Sequence, residues 1–154
     1  MNTGHTGTGH TGTGHVNPTR DQFDAFKAGD RDAPVEMLNL VRLRDRAEYP
    51  AGHPLHGEGL TGAQAYARYG AESAPVLARL GGSILWRGQY QTMLIGPDDE
   101  VWDHVFVARY PSARAFLAMV TDSDYASAVI HRTAGVATSR LIRCGAAEPG
   151  TAFG

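Results

Sequence analysis

Apolar positions along the chain fall into short blocks separated by Gly, Pro and charged residues, and each block has a readable period. From Val35 to Leu43 the run VEMLNLVRL is read as a first strand, although at that length a strand and a buried helix share the pattern. Thr61 with Gln64 has capping-box spacing, and Tyr66, Tyr69, Leu77 and Leu80 recur at helical intervals, which predicts a helix from 61 to about 80, kinked at Pro75. After Gly81 and Gly82, SILWRGQYQTMLI (83–95) predicts a long second strand with a bulge at Gly88. The turn GPDDE (96–100) leads into VWDHVFVARY (101–110), a third strand that pairs antiparallel with the second as a hairpin. Pro111 and Ser112 open a helix through Val120, Ser123 caps a further helical piece through Arg132, and TSRLIRC (138–144) is the fourth strand. Ahead of all these, Thr19 and Gln22 frame a short helix that stops at Gly29.

Strand, helix, strand, strand, helix, strand is the order of a ferredoxin-like βαββαβ domain of the α+β class. Right-handed crossovers put both helices on one face of its four-stranded antiparallel sheet. Strand three carries Val101, Asp103, Val105 and Val107 on one side and Trp102, His104, Phe106 and Ala108 on the other, so both faces read as apolar. Which of them meets the helices is left open. A sheet apolar on both faces but covered on one predicts a face-to-face homodimer. The domain spans 19–143, with 19–29 as its short N-terminal helix, between a disordered His/Gly/Thr-rich tail (1–18) and a C-terminal tail (144–154).

Composition narrows the partners. A chain of 154 residues holds one domain, and with net charge −2 and 14 scattered Lys and Arg it has no basic patch for nucleic acid. No run approaches the roughly 18 apolar residues of a membrane span, and the first residues lack the apolar stretch of a signal peptide, so the expected compartment is the cytoplasm. The lone Cys144 forms no internal disulfide; it is either a nucleophile or a bland residue at a strand end.

The stretches MLNLVRLRD (37–45), AYARYG (65–70), WRG (86–88), WDHVFVARYP (102–111), DSDYASAVIHRTAG (122–135) and SRLI (139–142) resemble the family called domain of unknown function 1330. The resemblance covers roughly residues 19 to 143 and implies a dimeric α+β barrel. That superfamily also holds antibiotic-biosynthesis monooxygenases, haem-degrading enzymes and muconolactone isomerase, so it implies a scaffold and no particular reaction.

Several polar residues stand out against this apolar frame. Asp103, inside an apolar strand, must be paired, protonated or catalytic. His131, beside Arg132 at a helix end, suits an acid–base role, or is simply a favourable charge at a helix C-terminus. Asn39 in mid-strand either orients a carbonyl and stabilises an oxyanion or makes a structural hydrogen bond. Tyr66, Tyr69 and Trp86 line a pocket between helix and sheet, or are core. In the loop, His53, His56 and Glu58 have divalent-ion chemistry, against a plain solvated loop or lid. His5, His10 and His15, repeating every five residues among Gly and Thr, offer imidazoles to Zn²⁺, Ni²⁺ or Cu²⁺, or are a plain tail.

The leading expectation is a small-molecule enzyme carrying out proton transfer, isomerisation or cofactor-independent oxygenation between helices and sheet. Asp103 and His131 would be acid and base, with Asn39, Tyr66, Tyr69, Trp86 and Arg132 holding substrate. No organic cofactor is called for. A non-catalytic ligand-binding or stress-related dimer and metal binding by the N-terminal tail are the alternatives.

Overall fold

Capping chemistry sets most of the helix starts. In the computed structural model, which describes residues 14–150 and 152–153, helix α1 (Arg20–Ala28) and helix α2 (Gly62–Arg79) both begin with complete capping boxes. Thr19 Oγ1 accepts the Gln22 N–H at 3.1 Å, and Thr61 Oγ1 the Gln64 N–H at 3.0 Å; each Gln returns a carbonyl to its cap N–H. Ser112 caps α3 (Ala113–Val120). For α4 (Ser123–Gly135) the cap is Asp122 and not Ser123, because one carboxylate oxygen accepts the Asp124 N–H at 2.8 Å while the other takes Arg79 Nη1 from α2 at 3.0 Å.

Strands β1 (Val35–Leu43), β2 (Ser83–Gly88), β3 (His104–Tyr110) and β4 (Val136–Gly145) form one sheet in the order β2–β3–β1–β4, every neighbouring pair antiparallel. This is the ferredoxin-like βαββαβ arrangement of an α+β domain. Two strand lengths differ from expectation: β2 stops at Gly88 instead of reaching 95, and β3 starts at His104 instead of 101. The cause lies in what precedes β3. The Asp103 N–H donates to Val41 O at 2.7 Å, and Trp102 is buried with the Arg140 guanidinium 5.4 Å from its ring centre, so residues 101–103 are committed to β1 and β4. Residues 89–95 then have no ladder partner. The bulge falls between Ile84 and Trp86, not at Gly88. Cys144 ends the expected fourth strand and Gly145, expected in the C-terminal tail, completes β4, which begins at Val136, two residues before the expected start. In the other tail, His15 N–H donates to Thr138 Oγ1 at 3.1 Å and His15 O accepts the Ser139 N–H at 2.7 Å, which lays this segment along the β4 edge. His5 and His10 lie outside the described residues.

The face of β3 that meets the helices is the one with His104, Phe106, Ala108 and Tyr110. Val35, Val41, Val76 and Val136 are fully buried there, each contributing on the order of 2 kcal/mol. The opposite face carries a row running straight across the register, Trp86–Val107–Leu38–Ile142, and no described residue shields its ends: Trp86 is 54% and Ile142 47% exposed. Beside it runs the row Ser83–Arg109–Glu36–Cys144, with an Arg109–Glu36 ion pair at 3.3 Å. No helix among the described residues is long and apolar enough to cross a membrane.

Candidate functional site

Between sheet and helices the core divides into two clusters, one around Val35, Met37, Ala108 and Tyr110, the other around Val41, Tyr66 and Val136. Asn39 sits on β1 between the residues that supply them, flanked in register by Phe106 and Leu141. Leu141, on the edge strand β4, faces the helices yet is 45% exposed. The Asn39 amide donates to Met37 O at 3.0 Å, and its carbonyl oxygen takes no donor from the described residues.

Phenols form the rest of the group. Tyr66 stacks on His104 with ring centres 5.0 Å apart and lies 5.3 Å from Tyr69. The Tyr69 and Tyr125 hydroxyls are hydrogen-bonded at 3.0 Å, joining α2 to the first turn of α4. Burial, reinforced by Tyr69, pushes the Tyr66 and Tyr125 phenols well above the ordinary value, with Arg132 opposing in both cases. They are neutral at physiological pH. Burial also lowers the His104 imidazole, against the pull of Asp103. Arg132 is anchored to Val16 O at 2.7 Å and Ser139 Oγ at 3.2 Å. Tyr66, Tyr69 and Arg132 are therefore gathered in one interlayer neighbourhood, together with Tyr125 and His104, which sequence reasoning missed; Asn39 stands on the same face of the sheet, in register with Phe106 of that core. The Tyr69–Tyr125 contact spans 56 residues and has no local signal.

Other expected members lie elsewhere. Trp86 is on the uncovered face, because the bulge after Ile84 sets it opposite Val107 where an unbroken ladder would have set it opposite Phe106. Asp103 is exposed at the end of β1, where Oδ2 accepts the Leu43 N–H at 2.7 Å. His131 is buried between α2 and the 44–60 loop, 2.7 Å from the Tyr49 hydroxyl and 3.0 Å from Glu72 Oε2. The structure does not bring Asp103 and His131 together. His53 stacks on Tyr49 with ring centres 4.7 Å apart and His56 donates to Tyr49 O at 2.9 Å. No three His, Cys, Asp or Glu among the described residues are arranged to hold a metal ion. Cys144 is an exposed free thiol.

The family described as a domain of unknown function, DUF1330, matches residues 58–144. The chain belongs to that family. The DUF1330 match runs from the end of the loop through α2 to β4, and so includes Tyr66, Tyr69, Tyr125, His131 and Arg132 but not Asn39 or Tyr49. Among solved structures, the RPA0582 protein of unknown function from Rhodopseudomonas palustris is 54% identical with a TM-score of 0.82, covering 89% of this chain and 100% of its own. Methylated RPA0582 protein gives 55% identity and a TM-score of 0.83 over 90% of this chain and 99% of its own. SnoaB, a cofactor-independent oxygenase from Streptomyces nogalater, is 16% identical with a TM-score of 0.47, covering 79% of this chain and 97% of its own. No curated protein matches this DUF1330 chain.

Proposed function

We propose that the chain pairs with a second copy through its uncovered sheet face, and that each subunit binds a small, oxygen-bearing organic molecule between sheet and helices and moves a proton on it. The observation that carries the reading is the Tyr69–Tyr125 hydroxyl pair, packed into the same interlayer core as Phe106, the register partner of Asn39. Two phenols sharing one hydrogen bond keep one O–H free, and that donor, with the Asn39 amide, suits a carbonyl or hydroxyl of a ligand. Both phenols need such partners when buried. His104, kept neutral by burial, is the nearby titratable group able to take or return a proton. Dimerisation is supported by the apolar row Trp86–Val107–Leu38–Ile142, which would otherwise face water.

Native mass spectrometry of freshly purified protein should show a dimer and any retained molecule. Small phenols, 2-oxo acids and unsaturated lactones would then be tested for binding, and for exchange of carbon-bound hydrogen in D₂O. Asn39→Leu and Tyr125→Phe should each weaken binding about tenfold. A ligand held equally well by both variants would sink the assignment of this pocket. Binding without exchange would leave a ligand-binding protein and no enzyme.

A further inference from the structure

We propose that Tyr49, His131 and Glu72 form a second acid–base site, in which the Tyr49 hydroxyl abstracts a proton from a small, mainly apolar carbonyl compound seated beside the loop. The three groups make an unbroken chain. An ionised carboxylate can only accept, so His131 Nε2 carries the hydrogen that reaches Glu72 Oε2 at 3.0 Å, and His131 Nδ1 is left to accept from the Tyr49 O–H at 2.7 Å. Hydroxyl, imidazole and carboxylate in this order is the arrangement that makes a weakly acidic hydroxyl reactive. Burial raises the Tyr49 phenol, with Arg68 opposing, so loss of its proton to water is disfavoured and the open route is His131.

The reacting group is held on several sides. His53 stacks on the Tyr49 ring, His56 donates to Tyr49 O, and the neighbouring Glu48 N–H donates to Ala134 O at 2.9 Å. Such pinning is what a site needs to keep its geometry. Tyr49 also lines a hollow of about 320 Å³ whose other walls are Glu48, Pro50, Val129, Ile130, Thr133 and Ala134. That lining suits a compact apolar body with one polar function. In the step itself, the C–H next to the carbonyl gives its proton to Tyr49 Oη as the phenol proton passes to His131 Nδ1. The resulting enolate faces an imidazolium paired with Glu72, and reversal returns the proton to the same carbon or a conjugated one, without redox change.

Phenylmethanesulfonyl fluoride tests the chain without knowledge of the substrate. Tyr49 Oη attacks sulfur, fluoride leaves, and His131 takes the phenol proton. Intact mass and peptide mapping should place the sulfonyl group on Tyr49, formed about 100-fold faster than on free N-acetyltyrosine amide. Glu72→Gln and His131→Gln should slow the reaction by a similar factor while circular dichroism stays native, and Tyr49→Phe should abolish it. A purely structural tie between loop and helices would change stability in these variants but not labelling. Absence of label on Tyr49, or a rate indifferent to Glu72→Gln at its half-exposed position, would overturn the proposal.

Discussion

Helices α2 and α4 touch at two glycines, and adding one methyl group there tests how closely their packing is set. A Cβ built on Gly135 lies 2.8 Å from Gly62 O, 3.2 Å from Ala65 Cβ and 3.3 Å from Tyr66 N. Ordinary contact begins at 3.4 Å, so in Gly135→Ala the helices must part by about 0.6 Å (3.4 − 2.8), and a backbone carbonyl cannot rotate away. Overpacking of this kind costs about 1–3 kcal/mol, and up to about 1 kcal/mol returns through the better helix propensity of Ala. The net expectation is a loss of about 1–2 kcal/mol, or roughly 2–8 °C in Tm. Gly70→Ala, exposed on α2 with nothing within 4 Å of the added carbon, keeps only the propensity gain and should be neutral or slightly stabilised. Urea unfolding followed by circular dichroism at one fixed protein concentration compares the two variants with the parent chain. Gly135→Ala at or above parental stability, with Gly70→Ala behaving as expected, would refute the close-crossing argument. Because the same crossing holds Glu72 and His131 at 3.0 Å, Gly135→Ala should also slow sulfonyl labelling of Tyr49.

Trp86→Glu places a charge in the apolar row of the open face and should shift sedimentation toward monomer; an unchanged dimer would mean that copies meet elsewhere. Asp103→Ala removes the acceptor for the Leu43 N–H and should cost about 1 kcal/mol or less, read by urea titration, while leaving Tyr49 labelling unchanged. Hydrogen bonding from Arg79 and from the Asp124 N–H holds the Asp122 carboxyl below its ordinary value of about 3.9. A carboxyl lowered in the folded state contributes stability that is present above the unfolded value and lost as pH falls through the folded one. Thermal melts should therefore weaken below about pH 4 and do so less in Asp122→Ala; identical acid profiles would count against this cap as the source.

What the residues determined by themselves was local. Thr19 with Gln22 and Thr61 with Gln64 announce helix starts because a capping box is complete within four residues, and β1 could be bounded at Val35 and Leu43 from its apolar run alone. The order of elements, and with it the ferredoxin-like topology, followed from these signals, and Asn39, Tyr66, Tyr69 and Arg132 stood out as polar groups in apolar company. Tertiary structure decided what depends on partners far along the chain. Residues 89–95 have strand composition, yet Leu94 and Ile95 are 88% and 90% exposed, since the segment opposite them is drawn to β1 through Asp103 and Val41. The Tyr49–His131 contact spans 82 residues, and Glu72 acquires meaning only when α2 crosses α4. Trp86 shows the limit most sharply: a single extra residue between Ile84 and Trp86 turns its side chain from the helix-covered face to the open one, because side chains alternate with a period of two and no pattern in the strand itself records which register its neighbour will take.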